Sequence, residues 1–157
     1  MHSSEPPYVR RAGIADAAQI ARLATELGYP STDREMRSRL DAMLSSPDHF
    51  IAVAEDAGMV IGWVAGEARL LLVAGRRAEL MGLVVGSTAR RRGIGNALVR
   101  AAECWAMEQG FDSLTVRSNV ARAESHAFYD RIGYTRRKTQ HAYIKTLPRR
   151  RDQGMAG

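Results

Sequence analysis

Apolar positions along the chain change their period several times, and each change marks an element. The stretch YVRRAG, from Tyr8, reads as a short strand. Over ADAAQIARLATELG the spacing turns helical: Ile20, Leu23, Ala24 and Leu27 share one face, and Gly28 closes it. Asp16, with Gln19 three residues on, is a variant of the capping box and predicts where that helix starts. PSTDREMRSRLDAML repeats the device, with Thr32 as N-cap, Glu35 at N3, and Met36, Leu40, Met43 and Leu44 facing inward. HFIAVAEDAGMVIGWVAGEARL is two apolar strands around Asp56-Ala57-Gly58, a hairpin signal. LLVAGRR ends in a turn. AELMGLVVG is a third apolar strand, and its nearly unbroken hydrophobicity predicts a central position covered on both faces.

Further on, Ile94, Leu98, Ala101 and Trp105 recur at helical spacing, and Gly110 ends the run. FDSLTVRSN reads as a strand, VARAESHAFYDRIG as a helix closed by Gly133, and YTRRKTQHAYIKTL as two last short strands. The order β-α-α-β-β-β-α-β-α-β-β is that of a mixed α/β sandwich with one main sheet.

Composition narrows the class. The 157 residues form one domain, 45% hydrophobic and 25% charged, as in ordinary globular proteins. No apolar run approaches the roughly 20 residues of a membrane span. The polar start MHSSEPPYVR lacks the apolar core of a signal peptide, and the lone Cys104 excludes an internal disulfide. Both features predict a cytoplasmic protein. Residues 1–7 read as a flexible N-terminus, 8–147 as the folded domain and 148–157 as a disordered basic tail. The net charge of +6 favours an anionic partner, although part of it lies in that tail.

STARRRGIGNALV, from Ser87 to Val99, holds the candidate chemistry. A strand that runs through a loop into a helix presents free N–H groups at the positive end of the helix dipole. Gly93 and Gly95 let an anion approach the backbone, and Arg90, Arg91 and Arg92 add charge-assisted donors, so a pyrophosphate is the natural guest. Leu98 stands where a dinucleotide fingerprint wants glycine or alanine, and no Gly-Lys-Ser/Thr follows. The plainer alternative is a solvated basic turn. Its position between a buried strand and an amphipathic helix favours the anion site.

Arg90-Arg91-Arg92-Gly93-Ile94-Gly95 matches the R/Q-x-x-G-x-G/A signature of the GNAT superfamily of N-acetyltransferases. AELMGLVV resembles that family's fourth strand, and NVARAESHAFYDRIGY its second signature. The resemblance extends from Tyr8 to Leu147 and implies an α/β GNAT fold. Its mixed central sheet would have about seven strands, flanked by about four helices, with strands four and five splayed apart. It also implies a site for acetyl-CoA as cosubstrate, with no metal. Main-chain groups of Leu83, Val84 and Val85 would meet the pantetheine arm. The pyrophosphate would sit on the N–H groups from Arg91 through Gly93, Ile94 and Gly95 to Asn96, supported by Arg90 and by Arg91 or Arg92. Asn119 and Tyr129 would contact the cosubstrate.

Acetyl transfer to an amine needs a neutral amine, donors for the developing oxyanion and a proton for the leaving thiolate. By the resemblance, Tyr129 is the general acid, and a phenol with a pKa near 10 holds its proton at neutral pH. Its other reading is a packed aromatic beside Phe128. Glu79, opening the fourth strand, is the candidate base, and alternation puts it on the face of Met81, Leu83 and Val85. Glu67 competes with it, and either carboxylate could be a solvated strand-end charge. The oxyanion donor falls to a main-chain N–H near Leu83 or Val84. The four histidines are too scattered for a metal site, and Cys104 and Trp105 read as core packing.

The acceptor is a primary amine on a small molecule or peptide, with aminoglycoside-type acetyltransferases among the branches resembled. Glu26, Asp33, Glu35 and Glu67 are the acids available for a polycation. The family also implies a homodimer. Two other functions compete: acyl-CoA binding without turnover, and a basic nucleic-acid-binding module. Against the latter, the arginines are spread along the chain and aromatics make up only 6%.

Overall fold

The computed structural model describes residues 6–90, 92–117 and 123–150. The chain divides into two compact units, 1–117 and 118–157. In the first, β1 (Tyr8–Arg11) is followed by a single 3₁₀ turn (Ile14–Asp16), then α1 (Ala17–Glu26) and α2 (Asp33–Leu44). Next come β2 (His49–Asp56), β3 (Met59–Leu71) and β4 (Gly75–Val85), a second 3₁₀ turn (Ser87–Ala89), α3 (Ile94–Glu108) and β5 (Thr115–Val116). The sheet order is β1-β2-β3-β4-β5, antiparallel up to β4 and parallel between β4 and β5. In the second unit α4 spans Ala123–Arg131, and Gly133 follows it with φ +100°.

The sheet is covered on both faces. On one, Ile20 and Leu23 of α1 and Leu40 of α2 pack with Ile51, Val53, Val60 and Val84. On the other lies α3, with Ile94, Leu98 and Trp105 buried and Trp105 stacked on Phe50 at 5.6 Å between ring centroids. Two glycines of β3 set how closely α3 can approach. A Cβ on Gly62 would come within 2.9 Å of the Val84 carbonyl oxygen and 3.1 Å of Leu98, and one on Gly66 within 3.2 Å of the Trp105 ring. The β2–β3 turn consists of Ala57 and Gly58, both at positive φ (49° and 80°), the geometry of a type I′ hairpin.

Several local expectations change. The Thr32–Glu35 box forms, with the Glu35 N–H donating to Thr32 Oγ1 at 3.1 Å. The Asp16–Gln19 box does not. Asp16 turns back to accept from Arg10 and from the Gly13 N–H, because a guanidinium outcompetes a neutral helix amide. Gln19 accepts from the Val60 N–H instead. Leu44 and Cys104 are exposed rather than inward, each one residue beyond the stripe that meets the sheet.

Among the described residues the sheet has five strands rather than about seven. The stretch read as two last strands, 134–147, carries no ladder, and Tyr143, Ile144 and Leu147 are exposed. Among the described residues, no helix is long and apolar enough to cross a membrane.

Asp16 is 5% exposed, and the Arg10 guanidinium, helped by the Gly13 N–H, holds its carboxyl below the usual range despite burial. A carboxyl depressed in the fold stabilises it above the unfolded pKa and loses that effect as pH falls through the folded value. Replacing Asp16 by Asn should therefore cost about 2 kcal/mol at neutral pH. Denaturant melts across pH should show the gap from the parent protein narrowing below about pH 4.

Candidate functional site

The site is built around the two edges of β4. Toward β3 the strand is paired from Leu71↔Gly75 to Gly62↔Val85, with one bulge on the way. Toward β5 the ladder consists of Glu79↔Thr115 and Leu80↔Val116 alone. Among the described residues, Met81 to Val85 have no strand opposite them on that side. Leu83, Val84 and Val85 fall in this stretch, and residues 118–122, which follow β5, lie outside the described residues.

Beyond Val85 the chain makes its 3₁₀ turn and enters α3. Gly93 stands at the N-cap with φ +76° and no atom within 4 Å of where a Cβ would be. It is left-handed backbone facing open space, so the first N–H groups of α3, through Ile94, Gly95 and Asn96, are unscreened by any side chain at that position. Arg90 is exposed, and Arg92 donates to Asp56 at 2.9 Å, which anchors it to the β2–β3 turn. Glu26 of α1 accepts from the Ser87 N–H at 2.9 Å and ties the same loop down from the other side. Arg91 and Asn119 lie outside the described residues.

Glu79 does not open its strand; β4 begins at Gly75. Nor is it a solvated charge: its side chain is 0% exposed. Oε2 accepts from Arg69 at 3.0 Å and Oε1 from Arg117 at 3.5 Å. The face it occupies also differs from expectation. Gly66 pairs with Leu80 and Ala65 with Gly82, leaving Met81 as a bulged residue without a partner. The extra residue shifts the alternation, so Glu79 shares its face with Gly82 and Val84 and not with Leu83 and Val85.

Glu67 pairs across the ladder with both His49 and Glu79. It is partly exposed, and its carboxylate lies 3.9 Å from His49 Nε2. His49 Nδ1 and Trp63 Nε1 are buried without a hydrogen-bond partner among the described residues. The roles of Arg69, Arg117 and His49 went unread in the sequence. A hairpin register counted back from the turn at Leu72–Ala74 would have placed Arg69 beside Glu79, because it sets Glu67 opposite Glu79.

In the second unit, Tyr129 of α4 is partly buried, edge-on to Phe128 at 5.1 Å and to Tyr134 at 5.8 Å. Burial raises its phenol above the ordinary value.

Comparison with known proteins bears on what such a site serves. Residues 14–134 match the acetyltransferase (GNAT) family. The chain belongs to that family. An aminoglycoside N(6')-acetyltransferase type 1 of Klebsiella aerogenes is 34% identical over 131 residues, 76% of this chain and 86% of the relative. Other relatives are longer. The chain spans 24% of the rice acetyl transferase GW6a, at 33% identity over 57% of this chain. It spans 49% of mouse N-acetyltransferase family 8 member 3, at 30% identity over 71% of this chain. Among solved structures, the aminoglycoside N-acetyltransferase AAC(6')-Iy in complex with CoA superposes with a TM-score of 0.83. That match covers 93% of this chain and 98% of the other at 18% identity, and it shows the GNAT-like fold.

Because burial favours the neutral phenol, Tyr129 should stay protonated to higher pH than an exposed tyrosine. In a spectrophotometric titration, the difference between the parent protein and Tyr129→Phe should therefore appear only above about pH 10. A step at or below that pH would show that the phenol is solvated.

Proposed function

We propose that the protein is an N-acetyltransferase that moves an acetyl group from acetyl-CoA to a primary amine by direct attack in a ternary complex. One observation carries this reading: among the described residues β4 has no partner beyond Leu80 on the side of β5, and past one 3₁₀ turn comes a helix N-terminus headed by Gly93. An extended amide-bearing arm can take the place of the missing strand, and a diphosphate can settle on the helix amides. The residues present fit that guest, since no side chain at Gly93 would obstruct it. Arg90, Arg91 and Arg92 are its candidate cationic supports, with Asn119 and Tyr129 as further contacts.

Acetyl-CoA supplies an activated thioester. The chain's own groups have three tasks. A main-chain N–H at Leu83 or Val84 donates to the carbonyl oxygen as negative charge develops there. Tyr129, kept protonated by burial, delivers a proton to the departing sulfur. A carboxylate takes the proton of the attacking amine. Of the two candidates the geometry favours Glu67, which is open to water, while each oxygen of Glu79 is already held by a guanidinium. The acceptor is a small-molecule amine. Supporting this are the relative named as an aminoglycoside acetyltransferase and the solved AAC(6')-Iy complex with a bisubstrate analogue, CoA-S-monomethyl-acetylneamine.

The test is acetyl-CoA binding by calorimetry, followed by thiol release with a panel of amines. Gly93→Asp puts bulk and negative charge at the phosphate cradle and should weaken acetyl-CoA binding about 100-fold or more. Unchanged affinity would overturn the assignment. Tyr129→Phe should lower kcat about 100-fold while acetyl-CoA affinity changes much less. Equal turnover removes Tyr129 from the acid role. Binding without thiol release from any amine would instead mark an acyl-CoA-binding protein.

A further inference from the structure

We infer that Arg117, acting through Glu79 and Arg69, is a positioning residue that clamps the end of β5 to β4 just before the stretch of β4 proposed for the acyl-CoA arm, and so holds that stretch in register for the arm. The inference rests on the proposed acetyl-CoA site. Its structural basis lies entirely within residues 1–117.

One carboxylate ties three strands together. Arg69 comes from β3, Glu79 from β4, and Arg117 directly follows the last residue of β5. Glu79 is fully enclosed and meets one guanidinium with each oxygen, at 3.0 and 3.5 Å. The place of this cluster gives it consequence. Among the described residues, Glu79↔Thr115 and Leu80↔Val116 make up the ladder between β4 and β5, and the stretch proposed for the arm follows on β4. A two-residue parallel ladder is weak by itself. Whatever else holds β5 at this point sets its alignment with β4.

The energetics point the same way. A buried carboxylate deprived of a partner is costly, so Glu79 holds both arginines in place. The two arginines differ in exposure. The Arg117 side chain is 59% exposed and Arg69 33%, so removing the Arg117 head group opens no cavity. The loss falls on Glu79 Oε1 and, through it, on the alignment of β5. With both oxygens occupied, Glu79 acts as an anchor in this arrangement and not as a proton acceptor.

The experiment compares Arg117→Met, which keeps the apolar stem, with Arg117→Lys and with Glu79→Gln in the full chain. Acetyl-CoA affinity and steady-state constants are measured, together with amide hydrogen exchange at Thr115 and Val116 in the free protein. Arg117→Met should weaken acetyl-CoA binding about tenfold and raise its KM more than it lowers kcat, and Arg117→Lys should recover most of the loss. Exchange at Thr115 and Val116 should speed up about tenfold in Arg117→Met. Unchanged affinity and exchange in Arg117→Met would overturn the clamp. So would a collapse of kcat in Glu79→Gln at unaltered acetyl-CoA affinity, which would make Glu79 the proton acceptor. If the parent protein does not bind acetyl-CoA, the acetyltransferase reading fails, and the exchange rates still decide whether Arg117 holds β5.

Discussion

Strand β4 is bonded to β3 along one edge, with a single bulge at Met81, and among the described residues at two positions on the other. That asymmetry governs the rest. The ladder to β3 and the two covering layers of helix hold β4 extended past Leu80. Main-chain N–H and C=O groups left unpaired in a partly buried setting are unstable unless something bonds them. Under the proposed function, a polar, extended guest supplies those bonds. The helix that follows contributes the other half of the same logic, since its first amides also lack acceptors.

Several of the charges among the described residues are paired. Arg10 meets Asp16 and Glu55, Arg39 meets Glu35, Arg92 meets Asp56, and Arg69 and Arg117 share Glu79. The basic excess seen in the composition is thus partly spoken for by structural partners. A polyanion reader would need its guanidiniums gathered and free on one surface. Here several of them fasten one strand or loop to another.

Much of the fold was legible because local chemistry and tertiary demand agree. Asp56-Ala57-Gly58 encodes a tight reversal, Thr32 and Glu35 encode a helix start, and the Ile94–Leu98–Trp105 stripe faces the sheet as its spacing requires. The failures share one cause: a distant partner changed a local preference. Asp16 abandons its cap for Arg10, a residue in another element. The bulge at Met81 reverses the faces of β4, and nothing in that strand's own sequence announces it. Glu79 reads as an exposed strand-end acid until the hairpin register brings Arg69 across and β5 brings Arg117. The helix entry headed by Gly93 was the most readable part of the candidate site, because a glycine-rich helix start is local. The carboxylates were the least readable, because their roles depend on which cations and which water surround them.

The far end of the β3–β4 hairpin carries a different consequence. Past Ala68, whose N–H bonds the Asp48 carbonyl, β3 pairs with β4 alone among the described residues, and the tip bears Leu70, Leu72 and Val73 exposed. A two-stranded ribbon that buries so little is marginal alone, so it frays while the five-stranded body stays intact. A protease would find its first cut there, and the nicked halves would remain joined through the longer run of pairing nearer the core.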